Sequence, residues 1–252
     1  MTCTITNTRT HTSTSPDGLR TCYVTMYIDV SASMRSHMGS IELAVRSTLQ
    51  ELADANDSGE DIIYMVKLVT FNDEVHVLND VYLDPNELLD LIPEDTFVAR
   101  STTNLTAMLQ TIDADFSGSA KDLHTGDPYP FNLIITDWDG NEDTAAQAAA
   151  QKRLHNNNRF NQQAANLCIY CGSGSHKEDA SSIVGAENLV ALSPSLMSYL
   201  EPIIAQGTVI LSDTHMADES GSADQMTHII DDVEEGASGS DALRAELDAL
   251  FQ

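Results

Sequence analysis

The sequence predicts an α/β fold: a doubly wound, mostly parallel sheet with helices on both faces and one antiparallel edge strand. Three observations carry that expectation. Runs rich in β-branched residues, such as Ile62 to Phe71 and Phe131 to Thr136, are apolar throughout, as strands buried on both faces are. Between such runs, apolar residues recur at helical spacing, as in Ile41, Ala44, Val45, Leu49 and Leu52. Strand and helix signals then alternate along the chain, the pattern of parallel strands joined by crossover helices.

The elements follow in order. Residues 1–17 place Thr at every even position from Thr2 to Thr14, so this leader reads either as an added strand or as a disordered Thr-rich segment. Ser15-Pro16-Asp17-Gly18 is a turn. Thr21 to Asp29 is the first strand and leads into a Ser-rich loop and the helix of Ile41 to Leu52. Ile62 to Phe71 is the second strand, and Val75 to Leu83, more polar, forms a hairpin with it. Asp84-Pro85-Asn86-Glu87 opens a helix, with Asp as N-cap and Pro in the first turn. Asn104 to Ile112 is helical, and Phe131 to Thr136 is the central strand. The Ala-rich stretch Asp143 to Leu154 is a helix, Leu167 to Tyr170 a strand and Lys177 to Val184 a helix. Leu189 to Leu192 is a short strand and Leu196 to Ala205 a last helix. The domain therefore spans about 18–206.

Residues 207–252 hold seven Asp and four Glu against Arg244 alone. Their Gly- and Ser-punctuated part, 212–240, is expected to stay unpacked. Ser240 caps an amphipathic helix, 241–251, with Leu243, Leu247, Leu250 and Phe251 on one face.

Composition removes several function classes. Twelve Lys and Arg face 39 Asp and Glu among 252 residues, a formal charge of −27. Such a surface repels phosphate backbones and anionic lipid, which argues against nucleic-acid and membrane-surface roles. No apolar run approaches the roughly 18 residues of a membrane span. Residues 1–15 lack the basic start and apolar core of a secretory signal, so a cytoplasmic location is expected. Four cysteines are too few for a disulfide framework. No P-loop pattern and no recognisable Ser–His pairing appear. Cys168 and Cys171 lie three apart, which on a strand places them on opposite faces and disfavours a shared metal.

One constellation stands out. Asp29, Ser31 and Ser33 form a D-x-S-x-S loop at the carboxyl end of the first strand, where open α/β sheets build ligand sites. A carboxylate and two hydroxyls at alternate positions can turn three hard oxygens onto one cation of the Mg²⁺ type. Thr103 stands at the entrance to a predicted helix, and Asp137 closes the hydrophobic strand ending in Thr136.

These pieces, in this order and on these elements, resemble the metal-ion-dependent adhesion site of von Willebrand factor A (vWA) domains. The resemblance covers about residues 21 to 205. It looks closest to the bacterial tellurite-resistance (TerY-like) branch, on Val69-Thr70-Phe71, Gly126-Asp127-Pro128-Tyr129-Pro130 and Cys171-Gly172-Ser173-Gly174. It implies that Ser31, Ser33 and Thr103 offer hydroxyls to Mg²⁺ or Mn²⁺, with Asp29 and Asp137 bound directly or through water. An open position would accept an acidic residue of a partner protein. A non-enzymatic interaction module in a stress-response or phage-defence assembly is implied.

Two positions depart from the family pattern. Ser101-Thr102 precedes Thr103 where the family has Gly, which disfavours a left-handed backbone there. Trp138, the one Trp in the chain, follows Asp137 where the family again has Gly. Trp138, Asp139 and Thr102 are expected at the rim as partner contacts, although the indole could equally pack beneath the neighbouring loop. Two other functions stay open: a structural or filament subunit using the Thr-rich strand for homo-oligomer contacts, and a Mg²⁺-dependent phosphoester hydrolase.

Overall fold

A computed structural model describes residues 20–58, 62–94, 96–117, 130–140, 144–162 and 164–192. The leader 1–17, the helix 196–205 and the acidic segment 207–252 with its helix 241–251 lie outside the described residues. So do Gly126 to Tyr129.

The chain begins with β1 (Arg20–Asp29), a short 3₁₀ turn (Ala32–Ser36) and α1 (Met38–Asp57). Next come β2 (Ile62–Phe71), β3 (Val75–Val77), α2 (Pro85–Leu91) and α3 (Leu105–Ser117). Then follow β4 (Phe131–Thr136), α4 (Thr144–His155), α5 (Asn158–Gln162) and β5 (Ala165–Tyr170). The described part closes with α6 (Lys177–Val184), a second 3₁₀ turn (Ala186–Asn188) and β6 (Leu189–Ala191).

The sheet order is β3-β2-β1-β4-β5-β6, and every pairing is parallel except β2 with β3. The chain moves outward from β1 through β2 on one side and from β4 through β5 on the other. The order therefore reverses between β1 and β4, which opens a crevice at their carboxyl ends. Asp29 and Thr136 are the last residues of those two strands.

Alternation along the strands divides the core. Val24, Met26 and Ile28 of β1 face α1 and α2, packing on Ile41, Val45, Leu49 and Leu88. Tyr27, Val69, Phe71, Ile134 and Cys168 face the opposite layer, among Leu105, Met108, Leu109, Leu154, Phe160 and Ile183. Asp84 caps α2 as expected, its Oδ1 accepting from Asn86 N at 2.9 Å. Asn104 caps α3 through Oδ1, which accepts from Ala107 N at 2.8 Å. A buried ion pair fixes α3 on the sheet. Lys67 Nζ lies 3.2 Å from both oxygens of Asp115, and Tyr27 Oη donates to Asp115 Oδ2 at 2.9 Å.

Two expectations need correction. The strand expected over Val75 to Leu83 is three residues long, because the Asn79 side chain replaces the neighbouring backbone. Asn79 Oδ1 accepts from Leu68 N at 2.8 Å and its Nδ2 donates to Val66 O at 2.9 Å. Asn56 does the same lower on that edge, for Tyr64 N and O. The edge of β2 is thus closed by side-chain amides and offers few free groups to another strand. The short helix α5 was not expected, since five residues carry too little periodicity to read. Among the described residues no helix is long and apolar enough to cross a membrane.

Asn79→Ala leaves the buried Leu68 N–H without its partner, while Val66 O keeps the bond from Leu83 N. Unfolding in urea is expected to register a loss of about 1–3 kcal/mol, against under about 0.5 kcal/mol for an exposed control such as Gln50→Ala.

Candidate metal centre

The crevice between β1 and β4 is built around one carboxylate. Asp29 is fully buried. Its Oδ1 accepts from Ser31 N at 2.9 Å, the tight turn that the D-x-S spacing allows. Its Oδ2 accepts from Thr136 Oγ1 at 2.7 Å across the crevice. The same Thr136 oxygen accepts from Trp138 N at 2.9 Å, so one hydroxyl ties Asp29 to the loop carrying Asp137. Ser31 Oγ and Ser33 Oγ stand 3.0 Å apart; Ser31 is buried and Ser33 exposed.

Two neighbouring segments, the end of β2 and 100–104, close around this loop. Val30 N donates to Phe71 O at 2.8 Å, and Arg100 N to Val30 O at 2.9 Å. Ala32 N donates to Ser101 O at 3.0 Å, and Asn104 N to Asn72 O at 2.6 Å. The segment 100–104 is therefore stitched to both the D-x-S-x-S loop and the β2–β3 turn, which brings Thr103 to the same end of the sheet. Thr103 is buried, and its Oγ1 has no hydrogen-bond partner among the described residues. A buried hydroxyl left without a partner costs about 1–3 kcal/mol.

Asp137 is half-buried, and its Oδ1 accepts from Asp139 N at 3.1 Å. Gly172 permits the close approach of the next loop. A β-carbon there would collide with the Tyr170 hydroxyl and stand 2.7 Å from Asp137 O.

The electrostatics are strained in one direction. Burial pushes the Asp29 carboxyl up to about 7, against the downward pull of its hydrogen bonds to Ser31 and Thr136; the Asp137 carboxylate adds to the rise. Cys171, just past β5, is also pushed up, to about 12, by burial first and then by Asp137 and Asp29. A cation in this corner would favour the ionised form of Asp29 that burial opposes.

The donor set fits a hard divalent cation. Asp29 and Asp137 supply charge, while Ser31, Ser33 and Thr103 supply neutral oxygens, Thr103 with an otherwise unused one. Among the described residues no three His, Cys, Asp or Glu side chains gather around one point, so hydroxyls are indispensable to any cation held here.

The rim differs from expectation. Thr102 and Asp139 are exposed, Asp139 with its Oδ1 3.8 Å from His176 Nε2. Trp138 is not at the rim: it is fully buried among Tyr27, Phe71, Leu105 and Met108, so its indole is no exposed anchor. Its backbone has φ 56°, and Ser101, against expectation, has φ 65°. These are the positive-φ non-Gly residues among those described, and they flank Thr103 and Asp137. Each costs about 1–3 kcal/mol, held in place by the surrounding hydrogen bonds and packing. The role of Thr136 was not read from the sequence, although a Thr directly before Asp at a strand end was its available signal.

No protein-family model matches the sequence, and no curated protein matches it. Solved structures do. A von Willebrand factor type A protein from Catenulispora acidiphila aligns with TM-score 0.51 and 14% identity, over 74% of this chain and 42% of that one. Proximal thread matrix protein 1 from the mussel byssus, with a zinc-occupied metal-ion-dependent adhesion site, aligns with TM-score 0.51 and 16% identity, over 74% and 48%. The vWF domain of a type V pili tip protein from Porphyromonas gingivalis aligns with TM-score 0.57 and 11% identity, over 81% and 98%. The chain spans less than half the length of the first two. At these identities the likeness is one of fold, and the fold is that of the von Willebrand factor A domain.

Proposed function

We propose that this chain is a non-enzymatic interaction module that uses a divalent cation, Mg²⁺ or Mn²⁺, to bind an acidic residue of a partner protein. Asp29, Ser31, Ser33, Thr103 and Asp137 hold the cation, which when bound supplies a Lewis-acidic position for the incoming carboxylate. The observation that carries the reading is the Thr103 hydroxyl, buried without a partner among the described residues, at the same end of the sheet as a carboxyl that burial pushes up to about 7. Asp29 is oriented by Ser31 and Thr136, and the Ser101 and Trp138 backbones turn the two outer loops toward it. The zinc-occupied site of the mussel matrix protein supports a divalent metal as the occupant. A cytoplasmic stress-response or phage-defence setting is the narrower proposal, and it rests on the TerY-like resemblance alone.

A second reading, a subunit of a filament or matrix, is favoured by the pilus tip and byssus proteins among the similar structures. Sedimentation separates the two: a polymer that persists in chelator supports the second, and a monomer that captures an acidic partner only with metal supports the first.

Calorimetry with Mg²⁺ and Mn²⁺ tests the site. Wild-type protein is expected to bind one ion, and Asp29→Ala and Asp137→Ala to lose most of that affinity. Ser31→Ala and Thr103→Ala are expected to lose less, each removing one neutral oxygen. Trp138, buried one residue from Asp137, should report binding by a fluorescence change absent in Asp29→Ala. A wild-type protein that binds no divalent cation at millimolar concentration overturns the reading.

Stability against pH gives an independent check. A carboxyl raised in the folded state holds its proton more tightly there than in the unfolded chain. Metal-free protein should therefore lose stability as pH rises from about 3.8 towards about 7. In Asp29→Asn this portion of the loss should vanish. Saturating Mg²⁺ at pH 7.5 should restore stability to the wild type and not to the variant.

A further inference from the structure

We propose that the cavity between the carboxyl ends of α4 and α6 is a second binding site, and that it takes a small uncharged molecule rich in hydroxyl groups, a polyol or saccharide. The proposal goes beyond the metal-site reading and does not depend on it.

The cavity lies far from the metal centre. Ala165, which lines it, opens β5, whereas Asp29 and Thr136 close β1 and β4. These strands run parallel, so the cavity and the metal centre occupy opposite edges of the sheet. Its volume is about 360 Å³, inside the range of roughly 300–1,000 Å³ that holds small ligands. Ile183 and Val184 give it an apolar wall, and His155, Asn161 and Ser182, all exposed, mark its opening.

The lining is rich in hydrogen-bond acceptors. Three asparagines contribute to it, and each commits its amide nitrogen to the backbone. Asn161 Nδ2 donates to His155 O, Asn188 Nδ2 to Val184 O at 2.7 Å, and Asn166 Nδ2 to Phe160 O at 2.9 Å. Asn166 Oδ1 also accepts from the buried Asn132 Nδ2 at 2.8 Å, so this side chain is held from both ends. The Oδ1 atoms of Asn161 and Asn188 accept from no donor among the described residues. The end of α6 adds backbone oxygens. Ser181 O accepts from Gly185 N at 2.9 Å and Val184 O from Asn188, while Ser182 O and Ile183 O meet no donor among the described residues.

Charge then selects the ligand. An anion would face these lone pairs and the negative ends of two helices. A cation would face Lys152 and Arg153, both exposed in the last turn of α4, and among the described residues no carboxylate lines the cavity to hold it. Uncharged hydroxyls avoid both penalties. They donate to the unused oxygens in place of water, and the C–H side of the same molecule can rest on Ile183 and Val184.

The test uses the full-length chain at neutral pH and ligand-observed NMR with four six-carbon probes: uncharged glucose and sorbitol, cationic glucamine and anionic gluconate. At least one uncharged probe is expected to bind with a millimolar Kd, roughly threefold or more tighter than either charged probe, the scale of one exposed charge interaction. Ser182→Phe, which places a ring at the opening from an exposed position, should weaken that binding roughly tenfold or more with the circular-dichroism spectrum unchanged. Asn161→Leu, which removes one of the unused oxygens, should weaken it less. Binding should persist in chelator and in Asp29→Ala. No binding of either uncharged probe at tens of millimolar, a charged probe that binds as tightly, binding undiminished in both cavity variants, or binding that requires Mg²⁺ overturns the proposal.

Discussion

The structure at the carboxyl edge of the sheet depends on one interaction: the buried Asp29 carboxylate held between Ser31 N and Thr136 Oγ1. It joins β1 to β4 at the point where strand order reverses, the one place in such a sheet where two crossover connections leave in opposite directions. Because Thr136 Oγ1 donates to Asp29 and accepts from Trp138 N, the position of Asp137 is set by the same hydroxyl. Burial opposes the charge that the hydrogen bonds favour, and burial is the larger influence on the carboxyl. A site balanced in this way is complete only with a proton or a cation.

The two outer loops are shaped by strain and by the core beneath them. Ser101 and Trp138 adopt left-handed backbone where a side chain is unfavourable, and for a residue as bulky as Trp this is a true outlier. The indole explains how it persists. It sits fully buried in the layer formed with α3, so relaxing the backbone would lift a large apolar surface out of the core. At Ser101 the constraint is the backbone itself, whose neighbours on either side bond to Val30 and Asn72. The α3 layer is in turn fixed to the sheet by Lys67, Asp115 and Tyr27, a buried cluster whose members satisfy one another.

Charge and shape then divide the work of recognition. The overall charge of −27 disfavours encounter with anionic surfaces, yet it is screened beyond about 8–10 Å at ordinary ionic strength. Within that range, on the function proposed above, a cation held by Asp29 and Asp137 would decide what is attracted. A strongly acidic chain can in this way hold an acidic ligand at one place and repel it elsewhere.

The sequence by itself determined the sheet and most helix starts, because burial on both faces leaves β-branched runs and because capping chemistry is local, as at Asp84. It also determined that Asp29, Ser31 and Ser33 share one tight loop, since they stand at alternate positions within five consecutive residues. Only the tertiary structure decided what lies further apart in the chain. Thr136 bonds to Asp29 across 107 positions, Thr103 is left without a partner among the described residues, and Trp138 turns inward rather than to the rim. Each of those outcomes depends on which groups the fold brings alongside, and a residue's own type carries no record of its distant neighbours. The left-handed Ser101 is the clearest instance: local preference opposes it, and contacts with two separate strand-end loops overrule that preference.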